Sequence, residues 1–151
     1  MKYWLHLYSP STWDRFLKHG ANTTGFLVQH AKRVARIQDG DYFVCYLVKK
    51  LAWCGVLQVQ GAPFVDAEPI FESGVDPYSL RLKVKPIVVL PPERAISVDE
   101  LWGELARTRN ADRSRNGWAY RARLVTSPLP IDQADGEVLV RALMMRKDNG
   151  A

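Results

Sequence analysis

Large hydrophobic residues occupy alternate positions near the start of the chain, a pattern that predicts a strand with two packed faces. Within residues 3–8, one face of the strand would carry Tyr3, Leu5 and Leu7, and the other would carry Trp4, His6 and Tyr8. Because bulky side chains stand on both sides, we expect this strand to lie inside a sheet and not at its edge.

Two further strand-like runs, residues 41–48 and 53–59, are separated by a short lysine-bearing connection and are predicted to pair as a hairpin. Trp53 in the second run has the parity of Leu57 and Val59, which favours a place in the core. Its position beside Lys49 and Lys50 also fits a surface that stacks on a flat anionic partner such as a nucleic-acid base. The sequence leaves both interpretations open.

A long strand is predicted over residues 78–90, where apolar and basic positions alternate. Leu80, Leu82 and Val84 share one face of this strand, and Arg81, Lys83 and Lys85 share the other. The basic row is typical of a solvated sheet face.

Four helices are predicted from periodicity and capping signals. The first follows Ser9 or Ser11 and ends at Gly20, the second covers residues 29–37 with Ala31, Val34 and Ala35 inward, the third follows the Ser97 and Glu100 capping box, and the last follows Asp132. With the strands, they predict one α+β domain over residues 1–146, a tail over 147–151, and a sheet of about five strands that curls into a barrel.

Composition is that of an ordinary globular domain, with 47% hydrophobic and 25% charged residues in a chain of 151. No apolar run approaches the roughly 20 residues that a membrane helix needs, and the first residues do not resemble a secretion signal, so a cytoplasmic location is expected, with no membrane partner. Cys45 and Cys54 lie in the two predicted hairpin strands. We expect reduced, buried thiols, with a cross-strand disulfide as the alternative.

Basic residues outnumber acidic ones, giving a formal charge of +5, and arginines are concentrated late in the chain. One acid, Asp112, stands among six arginines, which are Arg107, Arg109, Arg113, Arg115, Arg121 and Arg123. Such a segment attracts phosphates if it is exposed. The alternative is a solvated loop whose arginines pair with acids elsewhere.

Signatures of catalysis are missing from the sequence. The three histidines, His6, His19 and His30, have no metal-ligand spacing and are interpreted as ordinary residues. No nucleophile elbow, P-loop or dinucleotide-binding motif is present. The acids Asp66, Glu68, Glu72 and Asp76 are interpreted as a solvated loop. A binding module without metal or cofactor is therefore favoured over an enzyme.

Aromatic residues are abundant and are interleaved with basic ones: five tryptophans, six tyrosines and five phenylalanines. Ring faces stack on bases while arginine and lysine hold the phosphates, so this combination is typical of proteins that bind single-stranded or extruded nucleotides.

The order of these segments resembles the EVE domain family of the PUA-like superfamily, which is related to YTH domains. The resemblance covers residues 2–143 and is carried by "YWLHLYSPSTWDRF", "TTGFLV", "IQDGDYFVCYL", "WCGVLQV", "YSLRLKVKPIVVL" and "RLVTSPLPI". It implies a PUA-like pseudo-barrel and a reader of modified bases, of cytosine in DNA for EVE domains and of methylated adenine in RNA for YTH domains.

The resemblance also implies a pocket walled by aromatic rings, into which the base is flipped. Ser9 and Thr12 match positions that offer polar contacts, and the loop Thr24-Gly25-Phe26 matches one wall. The family usually has a tryptophan before this glycine, where the present chain has Thr24. Three alternatives follow: another aromatic residue supplies the stacking wall, with Phe26, Trp13, Trp53 and Trp118 as candidates, or the ligand differs, or binding is weaker.

The resulting hypothesis is a non-catalytic reader that binds nucleic acid, modified DNA in preference to RNA, and acts with a separately encoded effector such as a nuclease. Its predicted base-binding residues are Ser9, Thr12, Trp13, Thr24, Gly25, Phe26, Trp53 and Trp118. Its predicted phosphate-binding residues are Lys32, Arg33, Arg36, Arg113 and Arg115. Two alternatives remain, a general RNA-binding PUA-like module and a small PUA-like hydrolase that uses Lys85 or Lys49.

Overall fold

The structure, a computed structural model, describes residues 1–109 and 127–149. Its strands are β1 Tyr3–Tyr8, β2 Thr23–Phe26, β3 Tyr42–Leu47, β4 Ala52–Val65, β5 Leu80–Val89, β6 Ile96–Ser97 and β7 Leu129–Ile131. Its α-helices are α1 Pro10–Lys18, α2 Ala31–Val34 and α3 Gln133–Asp148, and single 3-10 turns cover Val28–His30, Pro92–Arg94 and Val98–Leu101. None of these helices is long and apolar enough to cross a membrane.

The strands form one mixed sheet in the order β2-β5-β4-β3-β1-β7, and β6 pairs with β4. β1 lies between β3, to which it is parallel, and β7, to which it is antiparallel, so the predicted interior position is confirmed. The predicted β3–β4 hairpin and the α+β fold are confirmed as well. The described sheet has seven strands and not about five, because β2, β6 and β7 are too short to give a periodic pattern.

A contact between two strands that are not neighbours in the sheet shows that the sheet is curved. β2 and β1 are four strand spacings apart, which in a flat sheet is about 19 Å. His6 Nε2 on β1 nevertheless lies 2.6 Å from Thr24 Oγ1 on β2. The sheet therefore curls into a half-barrel, as predicted.

Each face of the sheet has its own hydrophobic core. The concave face packs Trp4, Phe43 and Leu82 against Trp13 and Phe16 of α1. The other face is covered by α3, and its cluster includes Tyr3, Leu5, Val44, Trp53, Leu139 and Leu143. The two parities predicted for β1 thus serve two different cores.

Trp53 belongs to the second core. The parity argument correctly favoured the core but predicted the wrong face of the sheet. Cys54 forms a β-bulge. Gly55 pairs with Cys45 and Trp53 pairs with Tyr46, so Cys54 is an additional residue between two consecutive pairs. The bulge moves Trp53 to the face opposite Leu57 and Val59. Trp53 is only 2% exposed and packs edge-on against Tyr46, with ring centroids 4.9 Å apart.

Two predicted helices are shorter than expected. The segment 29–37 holds the end of the Val28–His30 turn and the four-residue α2. Its buried residues are Val34 and Ile37, whereas Ala31 and Ala35 are exposed. The segment after Ser97 forms a 3-10 turn, where the Ser97 hydroxyl accepts a hydrogen bond from the Asp99 N–H at 3.3 Å. At the other end of the domain, α3 continues to Asp148, inside the predicted tail.

Cys45 and Cys54 are free and fully buried, so the expectation of reduced thiols is confirmed. Burial raises the pKa of both thiols well above the ordinary value. Neither sulfur is a ready nucleophile.

Gly55 makes room for the packing of α1 on the sheet. A Cβ atom at this position would lie 2.7 Å from the Val88 carbonyl oxygen and 2.8 Å from Trp13 Cη2. We expect Gly55→Ala to lower the free energy of unfolding by about 1–3 kcal/mol, the usual cost of overpacking a core. Urea unfolding measures the effect, with Gly103→Ala as the control because a Cβ there meets no atom within 4 Å. Equal stability of the two variants would contradict this packing.

Candidate functional site

A cavity of about 400 Å³ lies at the open side of the half-barrel, between β2 and the carboxyl half of β1. β7 pairs only with Tyr3, Trp4 and Leu5 of β1, so His6, Leu7 and Tyr8 extend past it. We call this space the seam cavity. Its lining comes from the ends of β1 and β2, the first turn of α1, the residues around Val48, the Val28–His30 turn and the β4–β5 loop.

The floor of the seam cavity is a set of rings on the concave face. His6 stacks on Phe26, with ring centroids 4.5 Å apart and planes 24° apart. Tyr8 lies 4.7 Å from the His6 ring. All three residues are buried and line the cavity. The floor is therefore aromatic.

Hydrogen bonds connect the floor residues beneath the cavity. Thr24 Oγ1 contacts His6 Nε2 at 2.6 Å and also bonds the Tyr8 hydroxyl. On the other side of the imidazole, Nδ1 lies 3.2 Å from Ser127 Oγ. Four side chains thus form one continuous series of hydrogen bonds.

The floor carries no charge at neutral pH. Burial lowers the pKa of His6 to about 3, so its imidazole is neutral, with one nitrogen that donates and one that accepts. Burial raises the pKa of Tyr8 well above its ordinary value, although the hydrogen bond to Thr24 opposes this shift. The lining residues given by the structure include no aspartate or glutamate.

One wall of the cavity comes from the β4–β5 loop. Phe71 and Tyr78 form an edge-to-face pair with ring centroids 5.9 Å apart. This pair lies over Gly25, where a Cβ atom would stand 2.6 Å from the Tyr78 carbonyl oxygen and 2.8 Å from Phe71 Cε2. Gly25 is needed because no side chain fits between β2 and this wall.

Asp76 organises the same loop from inside, which corrects the interpretation of this acid as part of a solvated loop. Its carboxylate accepts hydrogen bonds from the N–H groups of Ile70, Phe71 and Tyr78 at 2.8–2.9 Å. Arg81 Nη2 lies 3.2 Å from the same carboxylate. Burial alone would raise the pKa of Asp76, but these donors outweigh it and the pKa is lowered.

Arg81 was predicted on a solvated face, yet it is fully buried. Its Nε–H donates to the Tyr78 carbonyl at 2.7 Å and its Nη2 to the Glu68 carbonyl at 2.8 Å. The guanidinium also lies over the Phe71 ring, 5.6 Å from the centroid. Lys83 and Lys85, in contrast, are exposed as predicted.

Four of the predicted base-binding residues line the seam cavity: Ser9, Thr12, Gly25 and Phe26. The hydroxyls of Ser9 and Thr12 also form a reciprocal capping box at the start of α1, so their orientation is fixed by the helix. Thr24 is fully buried and supports the floor from below.

Two predicted stacking residues do not line the cavity, and this corrects the prediction. Trp13 is fully buried in the concave core, where its indole N–H donates to the Leu90 carbonyl at 2.8 Å. Trp53 lies in the core on the opposite face of the sheet. Both rings are used for folding.

The predicted phosphate-binding residues Lys32, Arg33 and Arg36 are exposed, on and just after α2, next to His30 at the cavity. Trp118, Arg113 and Arg115 lie outside the residues that the structure describes. Lys49 and Lys85, the candidates for a hydrolase, are exposed and are not among the lining residues. Over residues 1–109 and 127–149, no group of three or more histidines, cysteines and acids could hold a metal ion.

Several lining residues were missed by the sequence reasoning, chiefly His6, Tyr8, Phe71, Tyr78 and Ser127. The alternation in β1 did place His6 and Tyr8 on the concave side with Trp4, which was the available signal. Phe71 and Tyr78 lie in a turn-rich segment without periodicity, so no local pattern marks them.

No protein-family model and no curated protein matches the chain. Among solved structures, the YTH domain of Zygosaccharomyces rouxii MRB1 in complex with N6-methyladenosine RNA is similar, with 17% identity, a TM-score of 0.65, and 94% of this chain and 86% of that chain covered. The Pho92 YTH domain in complex with m6A has 13% identity, a TM-score of 0.66, and coverage of 94% and 82%.

A third similar structure is Rpa0253 from Rhodopseudomonas palustris, with 14% identity, a TM-score of 0.61, and coverage of 96% of this chain and 94% of that chain. At these identities the likeness concerns the fold. The chain has the YTH/PUA-like fold.

We expect Asp76→Asn to lower the free energy of unfolding at pH 7 by roughly 3–5 kcal/mol, because Arg81 then keeps a buried charge without its carboxylate. The pKa of Asp76 is lower in the folded protein than in the unfolded chain, where it is about 4. The ionised carboxylate therefore contributes its full stabilisation above about pH 4, and this stabilisation is lost as the pH falls through the pKa of the folded state. The difference between wild type and variant should therefore shrink on acidification.

Urea unfolding at pH 7 and at several values below pH 4 measures this difference. Asp66→Asn is the matched control, since Asp66 is exposed and accepts only from the Glu68 N–H among the hydrogen bonds described. A difference that stays constant over the whole pH range would show that the Asp76 charge does not hold the loop.

Proposed function

We propose that this chain is a non-catalytic nucleic-acid reader, a member of the EVE family, that takes one extruded modified base into the seam cavity. The observation that carries the proposal is the cavity itself: about 400 Å³, floored and walled by rings, edged by hydroxyls, and without an acid among its described lining residues. Its volume falls in the usual range of small-ligand sites. Rings that stack on a base and short polar groups that meet its edge are the usual means of holding an extruded nucleotide.

Tyr78 is the aromatic wall that we propose in place of the family tryptophan. It lines the cavity and is half-buried, so part of its ring remains available to a ligand. Thr24, at the position of the tryptophan, turns inward to His6 instead. Phe71 and Gly25 hold Tyr78 in place from behind.

The kind of base is the finer part of the proposal. The resemblance to EVE domains favours a modified cytosine in DNA. A methylated adenine in RNA is the second candidate, supported by the ligands of two structures of similar fold, N6-methyladenosine RNA and m6A. Both ligands require the base to leave its stack, which costs a few kcal/mol that cavity and backbone contacts must offset.

Contacts to the phosphates of the nucleic acid are proposed for the exposed Lys32, Arg33 and Arg36, which follow His30 at the cavity. Arg113, Arg115 and Trp118 remain proposed contacts on the basis of the sequence. Each neutralised phosphate releases counterions, so affinity should fall as salt rises. We also propose a cytoplasmic location and a separately encoded effector such as a nuclease.

A catalytic role fits the described site less well. The buried imidazole of His6, with a pKa of about 3, is not matched to proton transfer near neutral pH. The exposed Lys49 and Lys85 lack a place in the cavity lining. Binding without turnover is the simpler use of these residues.

The test is fluorescence anisotropy with matched DNA and RNA oligonucleotides that carry one 5-methylcytosine, 5-hydroxymethylcytosine or N6-methyladenine, or no modification, at two salt concentrations. The proposal predicts tighter binding to one modified base and weaker binding at the higher salt concentration. Equal affinity for all oligonucleotides would indicate a general nucleic-acid module, and no binding would reject the proposal.

We expect Tyr78→Ala to weaken binding of the preferred oligonucleotide by a factor of about 5–150, since base stacking on one aromatic is worth about 1–3 kcal/mol. Tyr42→Ala is the control, because Tyr42 is also half-buried and stacks on one ring, that of Tyr3, away from the cavity. Equal losses in the two variants would exclude Tyr78 as the stacking wall.

A further inference from the structure

The hydrogen-bond series under the seam cavity begins and ends at the cavity surface. Tyr8 and Ser127, its two ends, both line the cavity, while Thr24 in its middle is fully buried. His6 connects Thr24 to Ser127 through its two ring nitrogens, at 2.6 Å and 3.2 Å. The two ends are therefore coupled through His6, whose ring also lines the cavity, and through Thr24, which is not among the lining residues.

Neutral imidazole has one N–H and one bare nitrogen, and each hydroxyl has one proton to donate. With these protons, the three hydrogen bonds of the series can point in either of two directions. In the first, Tyr8 donates to Thr24, Thr24 donates to His6 Nε2, and the Nδ1–H donates to Ser127 Oγ. The Ser127 hydroxyl proton is then free to point into the cavity, and Tyr8 presents only its oxygen lone pair.

In the second arrangement every hydrogen bond is reversed. Ser127 donates to Nδ1, the Nε2–H donates to Thr24, and Thr24 donates to the Tyr8 oxygen. The Tyr8 proton is now free, and Ser127 presents only lone pairs. Exchange between the two arrangements removes a proton from one ring nitrogen and adds one to the other, so the total number of protons does not change.

We propose that the series Tyr8-Thr24-His6-Ser127 is a reversible polarity switch, which makes the seam cavity select a ligand edge that carries one hydrogen-bond donor and one acceptor, in either order. In both arrangements only one end has a proton to donate to a ligand, and the other end can only accept. An edge with two acceptors leaves one of its groups facing a lone pair, and a buried unpaired polar group is costly. This selectivity rests on the proposed function, because it concerns the edge of the base.

The substrate class follows from this rule. A base whose exocyclic nitrogen keeps one hydrogen, such as N6-methyladenine or N4-methylcytosine, offers a donor beside the acceptor ring nitrogen. A base with a dimethylated exocyclic nitrogen offers no donor there. The switch should therefore admit monomethylated or unmethylated amino groups and reject dimethylated ones.

The switch itself can be tested without any ligand, by ¹⁵N NMR of the His6 ring. In Ser127→Ala, Nδ1 has lost its partner, so the proton should sit on Nε2 and bond Thr24. In Thr24→Val, which keeps the side-chain shape, Nε2 has lost its partner, so the proton should sit on Nδ1 and bond Ser127. The two variants should show opposite tautomers at pH 7. The same tautomer in both, or a doubly protonated ring, would overturn the switch.

The selectivity is tested by anisotropy with oligonucleotides whose adenine N6 or cytosine N4 carries one methyl, two methyl or one ethyl group, and the three are compared on the base that the protein binds. The ethyl base has as many added carbons as the dimethyl base but keeps its N–H, and so controls for size. We expect the dimethyl oligonucleotide to bind roughly tenfold or more weakly than the other two. Equal binding of the ethyl and dimethyl oligonucleotides would overturn the selectivity.

The two measurements separate the two proposals. Failure of every modified oligonucleotide to bind would reject the proposed function and, with it, the selectivity for a base edge. The NMR result on the two variants would still decide whether the hydrogen-bond series reverses.

Discussion

The contact between His6 and Thr24 is the constraint on which the rest of the structure depends. It joins strands that a flat sheet would hold about 19 Å apart, and so it fixes the curl of the half-barrel. It does so with side chains and not with a backbone ladder, and the seam between β1 and β2 therefore stays open enough to form a cavity. Without a partner on each ring nitrogen, the buried imidazole would be costly, so the contact also requires Ser127, and either tautomer then has a hydrogen-bond partner on both sides.

The cavity wall over Gly25 is held by a second buried polar group, the Asp76–Arg81 pair. A long loop without regular structure has little order of its own, and here one carboxylate fixes three of its N–H groups while one guanidinium fixes two of its carbonyls. Gly25 lets this loop approach β2 closely. Rings at the cavity are thus held by polar groups behind them, which preorganises the site for a flat ligand.

Period-two patterns were sufficient to predict β1, the β3–β4 hairpin, β5 and the α+β class, because these strands are long and pack on both faces. The bulge at Cys54 could not be predicted, since it depends on the partner strand, and it reversed the face of Trp53. For the site, Ser9, Thr12, Gly25 and Phe26 came from the family resemblance. His6, Asp76 and Arg81 were misjudged because a polar residue at an inward position looks ordinary until its distant partner is known.

The most direct test of the central claim, that the seam cavity receives the base, is methyl NMR of the protein with an oligonucleotide that carries N6-methyladenine or 5-methylcytosine. Leu7, Leu27 and Val48 line the cavity, whereas Val65 and Val75 are exposed and are not among its lining residues. A stacked base should shift the three cavity residues through its ring current and leave the other two unchanged. Binding that leaves Leu7, Leu27 and Val48 unshifted would show that the base goes elsewhere and would contradict the account.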